Sequence, residues 1–349
     1  MVVRIAPLLA VLGLLIVPLC FGCGALGLEE SDVPHTENYS QVTTVTLQND
    51  DLNGNVSIEA WGKDYVELTW TRRTAWGKAE FEKAKVEVTQ SGGKLDIEGK
   101  LLSKDAKVSI DYEILLPRNV ILAEVTSGDG NIKITGTSGD TIITAGLASV
   151  SVRNTFGHID MTLERGKIRL EGTTGGANLT TTEDSIEVVS VDGDVTATNS
   201  NGAISITNCR GNATLKTSGG GIQVDNLEGI VLLASTKGAP ITIKRATAVE
   251  VVETSDDDIT VEIASVGVKG TIVKVDRGSI RLYLSSSVNA DMELKAVSGA
   301  VAVNSSAGNI VVTGEFSPQH FKGTVGTGGN SIYAETSKGR IDVYGMSLG

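Results

Sequence analysis

Three consecutive carboxylates form the clearest pattern in this sequence that could bind a metal ion. Asp256, Asp257 and Asp258 stand directly before an apolar, strand-like segment. Carboxylate oxygens are the ligands that calcium prefers in proteins, so this turn is a candidate site for a single ion. A solvated acidic turn explains the same residues without an ion, and we favour that interpretation. The sequence therefore predicts no metal site, with this turn as the one weak candidate to check.

A second group of residues could support catalysis on a polysaccharide. Hydrolases and lyases built on β-helices need carboxylates, usually with Arg or Lys, on one outward face. Asp160, Arg169 and Glu187 are the first residues to examine for such a site. However, columns of residues spaced by 18 bring no two carboxylates to a catalytic distance. We therefore expect no catalytic residue and no cofactor. A zinc site is not expected either, because no local metal-binding spacing joins the three histidines, which are His35, His158 and His320.

One cysteine near the start of the chain is a candidate for lipid attachment. Residues 1–22 carry a single charge, Arg4, and a nearly continuous apolar segment, which is typical of a secretory signal peptide. The end of this segment resembles a bacterial lipoprotein signal, with Gly22 before Cys23 and with Cys20 where such signals usually carry leucine. The resemblance implies export, acylation of Cys23 and attachment to the cell membrane or outer envelope. The alternatives are ordinary secretion and an uncleaved anchor.

Glycine recurs every nine residues through the middle of the chain. The series runs from Gly130 to Gly238 and is broken only at Ala148 and Asp184. The residue two positions after the glycine is apolar in 11 of the 13 units, and the residue four positions after it is apolar in 12 of 13. The residue between these two positions is mostly polar. This alternation predicts a short strand with one buried face in every unit. Glycine suits the bend between strands because a side chain would obstruct the backbone there.

A second rhythm doubles the period to 18 residues. The position seven residues after glycine carries Thr, Val, Cys or Leu in alternate units, and Cys209 is one of them. The predicted fold class is therefore all-β, a β-solenoid (β-helix-like) with two strands in each coil of about 18 residues and with atypical capping ends. Cys209 falls in an inward column, so we expect a buried structural cysteine rather than a reactive one.

Four threonines also repeat at the 18-residue spacing, on the outward side of the predicted strands. A flat threonine array can bind a regular surface such as ice, but it needs a second threonine two residues earlier. Ile142, Asp160, Asn178 and Thr196 stand at those positions. We therefore predict a hydrogen-bonded ladder that stabilises the stack of coils. The ladder consists of Thr144, Thr162, Thr180 and Thr198.

The predicted organisation of the chain has four parts. Residues 1–22 form a signal peptide, 23–40 an acidic tether, 41–123 an N-terminal strand section that acts as a cap, and 124–349 the solenoid with a C-terminal cap. A short helical excursion is expected at residues 77–85, because GKAEFEKAK has a helix-forming composition. About 15 coils, at roughly 4.8 Å per coil, would make a rod of about 70 Å.

The negative charge of the chain argues against negatively charged partners. The formal net charge is −12, and removal of Arg4 with the signal peptide changes it to −13. Such acidity argues against nucleic acid and against anionic lipid headgroups as direct partners. It favours solubility outside the cell.

Two segments carry a resemblance to a known family. LLPRNVILAEVTSGDGNIKITG and the later GGNSIYAETSKGRIDVYG resemble the bacterial and archaeal putative-adhesin family, whose domains are built on a β-helix-like repeat. The resemblance covers roughly residues 41–349, and it implies a surface or envelope module without defined catalytic residues.

We therefore expect a non-catalytic, adhesin-like or scaffold lipoprotein that binds a polysaccharide or a surface protein through the faces of its solenoid. The alternative is a carbohydrate-active or carbohydrate-binding β-helix protein.

Overall fold

A computed structural model describes residues 29–304 and 310–346 of the chain. The predicted all-β class is confirmed, because nearly all regular structure is β and the strands join in one continuous sheet that coils along its own axis. In most strands, buried and exposed residues alternate as the period of two requires, for example in Ala177–Thr181. The predicted β-solenoid is therefore the fold of the described chain.

The N-terminal section contains eight strands and one helix. The helix is a 3₁₀ helix, Lys78–Lys83, within the segment where a helical excursion was predicted, and it buries Phe81 against the core. The strands are β1 Glu30–Ser31, β2 His35–Ser40, β3 Thr44–Asn49, β4 Val56–Trp61, β5 Tyr65–Thr74, β6 Ala84–Ser91, β7 Lys94–Leu101 and β8 Ser109–Pro117.

The central section contains the regular coils. Its strands are β9 Ile121–Ser127, β10 Gly130–Thr135, β11 Thr141–Arg153, β12 Ile159–Arg165, β13 Ile168–Glu171, β14 Ala177–Thr181, β15 Ile186–Val189, β16 Val195–Asn199, β17 Ile204–Arg210, β18 Ala213–Thr217, β19 Ile222–Thr236, β20 Ile241–Val249, β21 Val251–Asp256, β22 Ile259–Ile263, β23 Thr271–Arg277 and β24 Ile280–Leu284.

The C-terminal section completes the solenoid. Its strands are β25 Ala290–Ala296, β26 Ala300–Asn304, β27 Val312–Ser317, β28 His320–Val325, β29 Asn330–Lys338 and β30 Arg340–Gly345.

Two walls of parallel strands face each other across the apolar core. In spatial order, wall A contains β8, β4, β10, the second half of β11, β13, β15, β17, the first half of β19, β20, β22, β24, β30 and β26. Wall B contains β7, β3, β9, the first half of β11, β12, β14, β16, β18, the second half of β19, β21, β23, β29 and β25.

The register of these walls confirms the 18-residue coil in the regular part. Ile159 pairs with Ala177, and Ala177 pairs with Val195. Each wall has thirteen parallel strands, and at about 4.8 Å per step the stack is about 60 Å long. The prediction of about 15 coils was too high, because the outermost strands form antiparallel hairpins instead of further coils.

The recurring glycine is explained by backbone contact between successive coils. At Gly166, with φ +127°, a Cβ atom would lie 1.8 Å from the carbonyl oxygen of Ala148 in the coil below. At Gly202 a Cβ would lie 1.3 Å from the carbonyl oxygen of Asp184. A side chain at either position would overlap the backbone of the coil below. Glycine therefore recurs where the backbones of successive coils are in contact.

A second column of special backbone geometry was not predicted. Asn154, Ser190, Asn208 and Asn226 have φ of 52°, 54°, 54° and 59°, and glycines take the same position in other coils. This is the left-handed region, which Gly and Asn tolerate best. The column makes one corner of the coils in the regular part of the solenoid, and the Asn226 side chain donates a 2.8 Å hydrogen bond to the Asn208 amide oxygen in the coil below.

Buried polar side chains close another corner. The hydroxyls of Thr181 and Thr217 lie 3.0 Å from the carbonyl oxygens of Gly166 and Gly202, each 15 residues earlier. The amide of Asn199 donates to the equivalent carbonyl of Asp184 at 2.6 Å. The hydrogen-bonded column therefore lies one residue beyond the predicted ladder of outward threonines, inside the core rather than on the surface.

The first and last coils are interleaved with their neighbours. The first coil, β3 and β4, lies between β7–β8 on its outer side and β9–β10 on its inner side. The last coil, β29 and β30, lies in the same way between β25–β26 and β23–β24. Both coils nearest the chain ends thus have two paired edges, which removes them as templates for edge-to-edge association.

Antiparallel strands cover the outermost coils. At the N-terminal end β5 pairs with β8 and β6 with β7, and at the C-terminal end β28 pairs with β25. Strands β1 and β2 then pair with β5, so residues 30–31 and 35–40 belong to the cap rather than to the predicted tether. The polar sequence of β2 suits an edge strand, where alternate faces and one backbone edge meet water. In the described part of the chain, no helix is both long and apolar enough to span a bilayer.

Candidate ligand-binding face

A continuous stripe of polar side chains follows the outer surface of wall B. The wall B stripe has one residue in each of ten successive coils, and all ten are exposed or half-buried. Its spacing of about 4.8 Å per coil gives a length of roughly 40 Å. In spatial order the stripe is Thr144, Thr162, Thr180, Thr198, Lys216, Ser235, Glu253, Lys274, Glu335 and Lys295.

The predicted outward threonines are the first four members of this stripe. The other six were not predicted: Lys216 keeps the spacing of 18 but ends the run of threonines, and the spacing departs from 18 after it. Two of the departures are large: Glu335 is the direct neighbour of both Lys274 and Lys295, although it follows them by tens of residues in the chain. The interleaved last coil causes this, since it inserts β29 between β23 and β25. The alternating pattern of the SIYAET segment predicts that Glu335 lies on a strand. The pattern does not show which strands are its neighbours in the stack.

An open groove runs along the charged half of the stripe. Its volume is about 510 Å³, and its lining includes Glu253, Lys274 and Glu335 together with hydroxyl side chains from Ser235 and Ser255. The Ser235 hydroxyl lies 3.1 Å from the Glu253 carboxylate. Charges of alternating sign beside hydroxyls can bind a polar polymer through hydrogen bonds along several coils.

Aromatic and charged groups continue this surface at its C-terminal end. The Nζ atoms of Lys274 and Lys295 lie 5.6 and 5.3 Å from the ring centroid of Tyr333, within the range of a cation–π contact. Lys295 also pairs with Glu293 at 2.8 Å, and this bond holds the pKa of the Glu293 carboxyl below its usual range. The carboxylate is thus kept ionised, which suits electrostatic recognition rather than proton donation.

The residues considered for catalysis do not form one site. Arg169 and Glu187 are direct neighbours on wall A and form an ion pair, and Arg169 also bonds Glu171 at 3.0 Å. The hydrogen bond from Arg169 lowers the pKa of Glu187, with a further contact from Lys167 at 3.2 Å. Asp160 lies on wall B, on a different surface of the solenoid.

The environment of Asp160 is also that of a structural residue. Its carboxylate accepts a 2.7 Å hydrogen bond from the Asn178 amide and lies 3.3 Å from Nε2 of His158. A glycosidase acid needs a carboxyl with a raised pKa, whereas the Glu187 carboxyl is shifted the other way. The arrangement of Asp160, Arg169 and Glu187 therefore supports stacking of coils and not general acid catalysis.

The three aspartates of the candidate metal turn contact other groups of the same chain. Asp256 pairs with Arg277, with one contact at 2.9 Å, and Asp258 contacts Arg281 at 3.0 Å. Asp257 accepts a 2.7 Å hydrogen bond from the backbone amide of the next residue. Among residues 29–304 and 310–346, no group of three His, Cys, Asp or Glu side chains could hold a metal ion. Two of the three carboxylates at this turn are therefore engaged in ion pairs with arginines.

Other acidic turns serve the same stacking role. The carboxylates of Asp140 and Asp194 each accept a 2.7 Å hydrogen bond from a backbone amide in the next coil, at His158 and Asn212 respectively. These bonds use a carboxylate oxygen that a calcium-binding turn would offer to the ion. In the sequence, each of these aspartates directly follows a turn glycine, Gly139 or Gly193.

The structure describes one of the two cysteines for which the sequence made a prediction. Cys23 and the whole predicted signal peptide lie outside the described residues. Cys209 is buried as predicted, and burial raises the pKa of its thiol. Its sulfur lies 3.4 Å from the backbone nitrogen of Val191 and 3.3 Å from the carbonyl oxygen of Thr207. It is therefore a structural residue of the core.

Comparisons with known proteins find similarity only at low levels. No family model matches the chain. No curated protein matches it either. A putative cell adhesion protein from Clostridium sporogenes is 12% identical, with 90% of this chain and 100% of that chain covered and a TM-score of 0.20. A putative adhesin from Parabacteroides distasonis is 12% identical, with 74% and 94% covered and a TM-score of 0.31. A putative adhesin from Bacteroides fragilis is 12% identical, with 89% and 97% covered and a TM-score of 0.27.

Proposed function

We propose that this protein is an exported, lipid-anchored and non-catalytic surface protein of the adhesin-like type, which binds a polysaccharide or a surface protein through wall B. The observation that carries the proposal is the wall B stripe, a polar surface that is continuous across ten coils and ends in the groove at Glu253, Lys274 and Glu335.

The ionisation of the carboxyl groups favours binding over catalysis. In the described residues, each carboxyl with a shifted pKa is shifted downward; for Glu187 and Glu293 the cause is a hydrogen bond from a basic side chain. Such groups hold their charge at neutral pH and act as fixed hydrogen-bond acceptors. One of them, Glu293, lies two residues before Lys295 on the strand that ends the wall B stripe, where it offers a fixed acceptor to a polymer that presents hydroxyl or basic groups.

The position of the chain termini fits surface display. The described chain enters the fold at the N-terminal cap, and the C-terminal cap is at the other end of the stack, about 60 Å away. A lipid on Cys23 would hold the N-terminal cap near the membrane and present wall B along the length of the rod.

Mass spectrometry of the N-terminal peptide tests the anchor. We expect the native protein to begin at an acylated Cys23. An unmodified N-terminus would contradict the lipid anchor and leave a free secreted protein.

Binding to arrays of surface polysaccharides and envelope proteins tests the stripe. We expect Lys274→Glu to weaken binding at least tenfold, because it removes the only basic side chain between Glu253 and Glu335 in the stripe. Lys133→Glu, an exposed change on wall A, is the matched control and should bind as the wild type does. Release of sugar fragments by the wild-type protein would contradict a non-catalytic role.

A further inference from the structure

We propose that the N-terminal cap is a membrane-docking surface, in which Trp76 inserts at the headgroup level of the bilayer that holds the lipid on Cys23. This inference rests on the proposed lipid anchor. It adds an orientation: the rod stands on its N-terminal cap instead of moving freely at the end of a tether.

The cap exposes apolar side chains at the corner formed by residues 75–83 and 101–107. Trp76 is 66% exposed, and Leu102 is 56% exposed. Tryptophan has a large apolar surface that is usually buried in a core or an interface. An exposed tryptophan next to another exposed apolar side chain therefore indicates a binding surface. Trp61 and Trp70, by contrast, are partly buried.

Trp76 is held in this exposed position by defined contacts. Its backbone nitrogen donates a 3.1 Å hydrogen bond to the Thr74 hydroxyl, which itself donates at 2.6 Å to the carbonyl oxygen of Lys107. The Nζ atom of Lys107 lies 3.6 Å from the centroid of the Trp76 ring. The ring is thus presented outward by a structured corner.

The chain leaves the described fold beside this tryptophan. Glu29, the first described residue, forms a 2.8 Å ion pair with Arg73, and both line one cleft with Trp76. Five residues separate Glu29 from Cys23. Six peptide steps span at most about 20 Å, so an acylated Cys23 would keep Glu29 within that distance of the bilayer, with the Trp76 corner on the same cleft.

The composition of the corner suits the membrane interface. Tryptophan is enriched at the headgroup level because its ring is amphipathic, and lysines there extend their ammonium groups toward phosphates. Lys78, Lys104 and Lys107 are all exposed. The acidic residues Glu82 and Asp105 lie among them, so the corner has no large positive charge. Docking therefore depends on the tryptophan and the nearby lipid more than on anionic headgroups, and it should persist at high salt.

The experiment uses the full acylated protein in phosphatidylcholine vesicles, with and without brominated acyl chains, which quench tryptophan at short range. Flotation with the vesicles measures the anchor, and quenching measures the docking. We expect bromine to reduce the emission by about a third, since Trp76 is one of three tryptophans. Trp76→Phe should abolish this loss while the protein still floats. Phe156→Ser, at an aromatic that is 60% exposed in a regular coil, is the matched control and should leave the quenching unchanged.

Each other outcome overturns the docking. Flotation without quenching, or quenching that persists in Trp76→Phe, would mean that the anchor holds but Trp76 does not meet the bilayer. Failure to float would remove the lipid anchor itself, and the docking with it. A Trp76 emission change on adding soluble oligosaccharide, in a protein whose anchored form is not quenched, would assign the cleft to a sugar.

Discussion

The hydroxyl of Thr181 lies 3.0 Å from the carbonyl oxygen of Gly166, and a Cβ atom on Gly166 would lie 1.8 Å from the Ala148 carbonyl oxygen of the coil below. The same corner recurs with Thr217 over Gly202. At these two turns a buried hydroxyl thus lies on the carbonyl of the glycine that permits close approach, and the two features stabilise the stack together.

Replacement of Thr181 by valine tests this hydrogen bond. Valine keeps the shape of the buried Thr181 side chain but leaves the half-buried Gly166 carbonyl without its side-chain donor, so we expect a loss of about 1 kcal/mol in the free energy of unfolding. Denaturant titration measures the change. Thr180→Val, at the neighbouring exposed position, is the control and should stay within about 0.5 kcal/mol of wild type. Equal effects at both positions would contradict the assigned role.

Replacement of Gly166 by alanine tests the contact between coils. A Cβ 1.8 Å from a backbone oxygen forces the coils apart, and φ of +127° adds backbone strain. We expect a loss of at least about 3 kcal/mol, or failure to fold. Gly238→Ala is the matched control, because a Cβ there has no atom within 4 Å. A stable, native-like Gly166→Ala protein would show that the stacking is looser than described.

Substitutions at Ser190 test the left-handed corner. With φ of 54°, a β-branched residue is disfavoured, so Ser190→Val should lower the free energy of unfolding by about 1–2 kcal/mol. Ser190→Gly should be neutral or slightly stabilising, as glycine takes this position at Gly172. Ser205→Val, in a strand, provides the comparison and should have little effect. The opposite order of the two Ser190 variants would refute the corner geometry.

The ion pair between Arg169 and Glu187 predicts a pH dependence. The pKa of Glu187 is lower in the folded chain, so the group stabilises the fold above its unfolded pKa of about 4.3. This stabilisation is lost as the pH falls through the folded value. Because the pair is partly exposed, we expect Glu187→Gln to reduce the difference in unfolding free energy between neutral and acidic pH by no more than about 1 kcal/mol. Denaturant titration at pH 7 and pH 3 measures it, and an unchanged difference would argue against the pair.

The regular coils could be predicted from the sequence because their information is local. Strand, turn glycine and inward column repeat at a fixed spacing, so stacking residues 18 apart placed Arg169 beside Glu187 and Cys209 in the core. The same rule located the first four residues of the wall B stripe. The grouping of Asp160 with Arg169 and Glu187 on one outward face was wrong, because alternate units of the repeat contribute their strands to different walls.

The tertiary structure alone decided the ends of the solenoid and half of the candidate site. Glu335 reaches Lys274 only because the last coil inserts between two earlier ones, a pairing that no period records. Likewise, the polar segment of β2 became a strand because the open edge of β5 accepted it. Local patterns determine which residues can form a strand and which face is buried, but the partner of an end strand depends on which edge remains unpaired once the whole chain has folded.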